Sequence, residues 1–99
     1  MTYASITVAE RLSMDDYRVI DEQLGEQRAT GLISETAGQH ATGLHVVTVW
    51  ESKSDHERFV TERLVPAFRA AGVDPGPLSF TDFDVEAVYV RAQTRPSTT

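Results

Sequence analysis

The residues that decide the fold are Leu44–Glu51, with the sequence LHVVTVWE. A run of β-branched and aromatic residues of this length is typical of a β-strand. Because successive side chains of a strand point to opposite faces, the run divides into two sets. One set is Leu44, Val46, Thr48 and Trp50, and the other is His45, Val47, Val49 and Glu51. This is the strongest strand signal in the chain, and the other elements are placed around it.

Three further segments have the character of strands. Residues 3–9 alternate between small or polar and apolar side chains. Residues 31–37 form a second extended segment, and a polar hairpin loop at 38–43 joins it to the central strand. Residues 78–91 are extended again, and residues 93–99 are expected to be a disordered tail. The carboxylates that alternate along the last strand are expected to form a solvated edge: Asp82, Asp84 and Glu86.

Two segments have helical character. Ser13 is a good N-cap, and apolar residues at helical spacing carry the first helix to about residue 28. The sequence SDHE at residues 54–57 is a capping box that begins a second helix, and Pro66 ends or kinks this helix. The order β-α-β-β-α-β predicts a single α+β domain over residues 1–92. We expect a ferredoxin-like fold in which both helices cover one face of a four-stranded antiparallel sheet.

The face of the sheet without helices is predicted to be apolar. The residues expected there are Leu44, Val46, Trp50 and Tyr3. A large open apolar patch is uncommon on a monomer in water. We therefore expect two copies to pair sheet to sheet around a two-fold axis as a dimeric α+β barrel, with a ligand pocket between the sheet and the partner subunit.

Composition excludes several classes of partner. Fifteen acidic and nine basic side chains give a net charge of −6, which repels the phosphate backbone of nucleic acid. No apolar run approaches the roughly 20 residues of a membrane-spanning helix, and MTYASITVAE lacks the pattern of a signal peptide. The absence of cysteine excludes disulfides and agrees with a cytoplasmic protein. The histidines at 40, 45 and 56 lack the close spacing of metal ligands, so no metal site is expected.

Three stretches give the chain a family resemblance: GLI at 31–33, TVWES at 48–52 and RLVPA at 63–67. Through them it resembles the dimeric α+β barrel superfamily, and more narrowly its antibiotic-biosynthesis-monooxygenase-like (ABM-like) group, over roughly residues 3 to 90. The resemblance implies cofactor-free oxygenation of aromatic polyketides, polyketide cyclisation, haem degradation or no known reaction. The haem branch is disfavoured, because it needs an axial histidine late in the second helix, where this chain has Arg69.

The candidate catalytic residues are His56 and Glu35. A histidine near its ordinary pKa moves protons at neutral pH, although a half-buried histidine with local hydrogen bonds is the commoner case. Burial beside Trp50 would raise the pKa of Glu35 and make it a base, although such a residue more often lies at an exposed edge. Relatives use the matching tryptophan as an aromatic wall, and Trp50 could equally pack in an interface. The other candidates for substrate binding are Tyr3, Ser5, Thr7, Val46, Thr48 and Tyr89.

Two functions remain open from the sequence. The first is a small enzyme that needs no metal or organic cofactor and acts on a hydrophobic, aromatic or polyketide-like molecule, by a monooxygenase or cyclase type of reaction. If the reaction is oxygenation, the enolate or phenolate of the substrate must supply the electrons. The second is a homodimer without catalytic activity that binds a small molecule or stabilises a partner protein.

Overall fold

The structure of the protein is a computed structural model that describes residues 2–91. The strand predicted at residues 44–51 is present in it as the third of four strands along the chain. In chain order the elements are β1 (Tyr3–Ala9), α1 (Met14–Leu24), β2 (Leu32–His40), β3 (Gly43–Trp50), α2 (Lys53–Phe59), a π-helical turn (Val60–Leu64), α3 (Val65–Ala71) and β4 (Leu78–Asp84). The predicted α+β, ferredoxin-like class is confirmed. The tail predicted at 93–99 lies outside the described residues.

The four strands form one antiparallel sheet in the order β2-β3-β1-β4. β1 and β3 are therefore the two central strands. They carry most of the predicted site residues. Their register places Tyr3 opposite Trp50 and Ser5 opposite Thr48. Residues directly opposite one another in an antiparallel pair share a face, so these four side chains lie on the same side of the sheet.

The first helix is shorter than predicted. Ser13 is its N-cap, as expected, and accepts a hydrogen bond from the backbone N–H of Asp16. The helix ends at Leu24 and does not continue to residue 28. Gly25 follows with a φ of 80°, a conformation that helical residues do not adopt and that glycine reaches at little cost.

The second helix begins two residues earlier than predicted, because Ser52 and not Ser54 is its N-cap. Ser52 has an extended backbone (φ −153°, ψ 159°), and its Oγ accepts from the N–H of Asp55 at 3.2 Å. The predicted capping box, in which Ser54 caps the helix and Glu57 lies at the third helical position, is therefore wrong. Both serines have an acidic residue three positions later, which is why the sequence pattern alone did not separate them.

Pro66 does not end the second helix. α2 runs into a π-helical turn, in which the N–H of Val65 donates to the carbonyl of Val60, and α3 follows directly. Pro66 lies in the first turn of α3 and has no N–H to donate to the preceding turn. A wider turn before the proline accommodates this missing donor and lets the helical path continue.

Two strand boundaries also differ from the prediction. β2 continues to His40, so the connection to β3 is shorter than the loop predicted at 38–43. β4 ends at Asp84, whereas an extended strand was predicted as far as residue 91. The reason is that β1 begins at Tyr3, and the last backbone bond along this edge joins the N–H of Val85 to the carbonyl of Thr2 at 2.9 Å. Beyond it β4 has no strand to pair with.

The predicted assignment of the two sheet faces is wrong. The helices cover the face that carries Leu44, whose side chain belongs to a buried core between sheet and helices: Ala9, Leu12, Ile20, Leu44, Ala67 and Phe68. Val46 packs against this core, and the rings of Trp50 and Phe59 lie 5.3 Å apart. The open face instead carries the alternate residues of the strands, among them Ile6, Val8, Val47, Val49 and Phe83.

Candidate functional site

A cavity of about 90 Å³ lies between the sheet and the helices of a single chain. Six of the predicted site residues line it: Thr7, Glu35, Val46, Thr48, Trp50 and His56. Apolar side chains from the helices and β4 complete the wall: Leu12, Ile20, Leu24, Phe59, Val60, Leu64, Phe68, Leu78 and Phe80. The pocket was predicted between the sheet and a partner subunit, so its location is corrected although most of its predicted residues are present.

Trp50 is the most deeply buried large side chain of the site, with 1% of its surface exposed. Its Nε1–H donates to Thr48 Oγ1 at 2.8 Å, and the Thr48 hydroxyl lies 3.5 Å from the carbonyl oxygen of Ser5. A buried indole N–H without a partner would cost about 1–3 kcal/mol, and Thr48 removes this cost. Thr48 therefore fixes the indole as a rigid wall of the cavity.

His56 lies on α2 and is 7% exposed, on the core-facing side that its helical spacing predicts. Its imidazole is surrounded by aromatic rings, with centroid distances of 5.8 Å to Tyr3, 5.4 Å to Trp50 and 6.2 Å to Phe80. Burial lowers the pKa of His56 and outweighs the negative charges of Asp82 and Glu57, which act to raise it. The imidazole is therefore neutral at pH 7 and can accept a proton.

Asp82 is a polar residue of the site that the sequence analysis missed. Its Oδ2 accepts from the Tyr3 hydroxyl at 2.7 Å, and its Oδ1 accepts from Ser5 Oγ at 2.6 Å. Partial burial acts to raise the pKa of Asp82, but these two hydrogen bonds and the nearby His56 and Lys53 hold it below its ordinary value. Asp82 is exposed on the edge strand β4, as the sequence analysis expected, and this carboxylate in addition anchors two side chains of β1.

Tyr3 and Ser5 occupy a different position from the one predicted. They share the helix-covered face with Trp50, but both are buried beside the cavity and do not line it. Burial and the hydrogen bond to Asp82 raise the pKa of Tyr3 to about 12, so its phenol remains protonated. Their role is to hold Asp82 on the His56 side of the sheet.

Glu35 lines the cavity from β2, opposite Thr48. Its Oε2 accepts a hydrogen bond from the Tyr17 hydroxyl of α1. Burial and this hydrogen bond raise the pKa of Tyr17 above its ordinary value, so the phenol keeps its proton and continues to donate. Glu35 is therefore a paired carboxylate at the cavity wall.

Several solved structures have the same fold, and three of them are described as oxygenases or monooxygenases. One is a protein from Chloroflexus aurantiacus J-10-fl, provisionally assigned as an antibiotic biosynthesis monooxygenase, with a TM-score of 0.62, 15% identity and coverage of 91% of this chain and 98% of the other. Another is SnoaB, a cofactor-independent oxygenase from Streptomyces nogalater solved as a mutant, with a TM-score of 0.56, 12% identity and coverage of 88% and 93%. A third is the monooxygenase of the gene ActVA-Orf6 of Streptomyces coelicolor, in complex with Nanaomycin D, with a TM-score of 0.53, 16% identity and 92% coverage of both chains.

This chain has the same fold as these structures. The fold implied by the three sequence stretches is thereby confirmed. No protein-family profile and no curated protein matches the sequence. At 12–16% identity the ABM-like structures establish the architecture and not the reaction.

Tyr89 is a predicted site residue that does not line the cavity. It follows the end of β4, in a segment without regular secondary structure, and 88% of its surface is exposed. The prediction that it lines the pocket is wrong, because β4 ends five residues before it. Phe80, which sequence analysis did not single out, takes the place of an aromatic wall on that strand.

Within residues 2–91, no cluster of three or more histidine or acidic side chains has the arrangement of a metal site. The helices in the same range are all too short or too polar to cross a membrane. Most of the cavity lining is apolar, and its polar groups are a neutral imidazole, a threonine hydroxyl bonded to an indole, a carboxylate bonded to a phenol, the Thr7 hydroxyl and the Asp21 carboxylate. Such a set supports proton transfer on an apolar molecule better than it supports recognition of a polar one.

Proposed function

We propose that the protein is a small enzyme that needs no metal or organic cofactor and acts on a hydrophobic aromatic or polyketide-like molecule. The observation that carries the proposal is His56, a buried neutral base in the wall of an apolar cavity next to Trp50. The ABM-like structures add support, because SnoaB is a cofactor-independent oxygenase and the Streptomyces coelicolor monooxygenase was solved with Nanaomycin D.

In the oxygenase form of the proposal, His56 takes a proton from an enol or phenol of the substrate. The resulting anion is electron-rich and passes electrons to dioxygen. When a CH₂ group between two aromatic rings becomes a carbonyl, the substrate loses four electrons and dioxygen gains them. One oxygen atom enters the carbonyl, and the other leaves as water. In the cyclase form, the same anion attacks a carbonyl of its own chain, so both reactions begin with the proton transfer to His56.

The cavity must widen to accept such a substrate. Pockets for drug-sized ligands enclose about 300–1,000 Å³, and this one encloses about 90 Å³. Val60 and Leu64 line it from the π-helical turn, where the backbone departs from regular α-helical bonding. We propose that the substrate displaces this turn and Phe80, which closes the cavity from the edge strand β4.

The test is turnover of a hydroxylated anthrone, followed by dioxygen uptake and by formation of the quinone. His56→Gln should lower kcat about 10²- to 10⁴-fold, the usual contribution of a positioned base. His45→Gln is the matched control, since His45 lies on the open face of the same sheet, and it should keep the full rate. A His56→Gln variant that turns over at the wild-type rate would remove His56 from the mechanism.

A second candidate is a small-molecule-binding or partner-stabilising protein without catalytic activity. It is favoured by the internal pairing of the cavity's polar groups, namely Trp50 with Thr48 and Tyr17 with Glu35. Replacing both His56 and Glu35 with alanine separates the two candidates. In the enzyme this double variant loses turnover and still binds ligand, whereas in the binding protein the wild type has no turnover to lose and only affinity changes.

We further propose that the protein is a homodimer built on the open face of the sheet. Ile6, Val8, Val49 and Phe83 share this face with Val47, which is 39% exposed. None of the described strand residues on this face is Asp, Glu, Lys or Arg, and depletion of charge is typical of the core of an interface. The apolar patch predicted from the sequence is thus present, but different residues form it.

Sedimentation at micromolar concentration tests the dimer. The wild type should sediment at about twice the chain mass of 11.0 kDa. Val47→Glu should sediment at the chain mass, because it buries an unpaired charge in the interface. Val19→Glu on α1 is the matched control, since Val19 has a similar exposure of 43% and lies away from the open face; this variant should remain dimeric. A wild type found only at 11.0 kDa would contradict the proposal.

A further inference from the structure

A second concave site lies beside the cavity and has the opposite character. It is a groove of about 360 Å³ between the loop after α1 and the side of α2 and the π-helical turn. Its lining is polar: Gln27, Arg28, Ala29, Thr30, Asp55, Arg58, Phe59, Glu62 and Arg63. Apart from Phe59, nothing in the cavity wall described above belongs to it.

The groove concentrates arginines in a chain that is strongly acidic. Three of the chain's eight arginines and two carboxylates line it, and a third carboxylate, Asp21, pairs with Arg28 from outside the lining. Arg28 and Arg58 each pair with one carboxylate, through Nη1 at 3.1 Å to Asp21 and at 3.3 Å to Asp55. Both guanidinium groups are more than half exposed, so these pairs are weak and leave donors directed to solvent.

Arg63 gives the groove a fixed wall. Its Nη2 donates to the carbonyl oxygens of Leu24 at 2.8 Å and Gln27 at 2.9 Å. These bonds tie the loop after α1 to the π-helical turn, so the two sides of the groove are held together. Arg63 is thus engaged with backbone carbonyls and shapes the groove, while Arg28 and Arg58 are the arginines that present donors to a bound anion.

Phe59 connects the groove with the cavity. It lines both, and its ring lies 5.3 Å from that of Trp50. The Arg28 pair makes a second connection, since Asp21 lines the cavity and Arg28 lines the groove. Phe59 and the Arg28–Asp21 pair therefore lie at the boundary between the cavity and the groove.

We propose that the ligand of this protein is an aromatic carboxylic acid, with its apolar part in the cavity and its carboxylate in the arginine-lined groove. Guanidinium groups bind carboxylates through paired hydrogen bonds, and the exposed guanidinium groups of Arg28 and Arg58 keep donors for such a bond. The placement of the aromatic part in the cavity rests on the proposed function. The placement of the carboxylate rests on the groove alone.

The test compares two probes of the same shape, 2-naphthylacetic acid and 2-naphthylacetamide, by calorimetry at low salt. The wild type should bind the acid about 10-fold more tightly than the amide, the advantage expected of a charge-assisted hydrogen bond over a neutral one. The double variant Arg28→Gln, Arg58→Gln should lose this preference and keep its affinity for the amide. Arg18→Gln is the control: Arg18 is an exposed arginine of α1 with its own partner, Asp15, outside the groove, and its variant should behave as wild type.

The outcomes separate the two proposals. If the amide binds and the acid has no advantage, or if the advantage survives in the double variant, the groove does not hold the carboxylate and the inference is overturned, while the cavity remains a ligand site. If neither probe binds the wild type, the placement of the aromatic part in the cavity fails as well, and the proposed function loses its binding site together with this inference.

Discussion

Replacing His56 with phenylalanine should change how stability depends on pH. His56 is 7% exposed and lies among the rings of Tyr3, Trp50 and Phe80. Burial lowers its pKa in the folded state, whereas in the unfolded chain it titrates near 6.5. Unfolding at a pH below about 6.5 therefore takes up a proton, and the folded state loses stability as the pH falls toward the lower, folded pKa.

The magnitude follows from linkage. A full proton taken up on unfolding changes the free energy of unfolding by about 1.4 kcal/mol per pH unit. Above about pH 7.5 both states carry a neutral imidazole, and this contribution is complete and constant. Phenylalanine fills the same aromatic position and does not titrate. The free energies of unfolding of wild type and His56→Phe should therefore differ by a constant amount at high pH. Below about pH 6.5 the wild type should lose about 1 kcal/mol relative to His56→Phe for each pH unit.

The assay is urea unfolding followed by far-UV circular dichroism, at intervals between about pH 5 and 8, which bracket the unfolded-state pKa of histidine. His40→Gln serves as the control, because His40 is exposed in the hairpin, and its stability should run parallel to that of the wild type. The opposite slope, with the wild type gaining on His56→Phe as the pH falls, would mean that Asp82 and Glu57 outweigh burial. The protonated imidazole would then be the stable form, and the assignment of His56 as a neutral base would be refuted.

Two other substitutions test the walls of the site. Thr48→Val should cost about 1–3 kcal/mol of stability, because it leaves the buried indole N–H of Trp50 without an acceptor. When Thr48→Val is made in a chain that already carries Trp50→Phe, it should cost clearly less. Equal costs in the two backgrounds, measured by urea unfolding, would show that the hydrogen bond contributes nothing. Gly43→Ala should cost about 1–3 kcal/mol for strain alone, because Gly43 has a φ of 123° and an added Cβ would lie 2.7 Å from the Cα of Glu10. Gly38→Ala on the neighbouring strand, where a Cβ meets nothing within 4 Å, should be close to neutral, and a similar loss in both variants would contradict the argument.

The sequence predicted the elements well where local periodicity determines them. The alternation of Leu44–Glu51 identified β3 and the two sets of side chains that it presents. It did not identify which set the helices cover, since Leu44 and Val46 on one face and Val47 and Val49 on the other are equally apolar. That choice is made by the core residues of α1 and α3, and their contacts are not visible in the pattern of a single strand.

Long-range register limited the prediction of the site in the same way. Asp82 looked like one of several alternating carboxylates, and only the pairing of β4 with β1 brings it opposite Ser5 and within reach of Tyr3. Tyr89 was placed in the site because the last strand was predicted to continue past Asp84. His56 was found because it lies on a helix whose buried face is evident from spacing. Trp50 was found as the one tryptophan of the strongest strand, although its face was predicted wrongly.

The account depends most on the claim that an aromatic ligand binds between the sheet and the helices of one chain. Trp50 is the only tryptophan in the sequence, so it gives a single indole N–H signal in ¹⁵N-edited NMR. Titration with 1-naphthol should shift this signal to saturation at one ligand per chain, together with the signals of His56, while the amides of Val47 and Val49 on the open face stay in place. Shifts confined to the open face, with the Trp50 signal unmoved, would contradict the account.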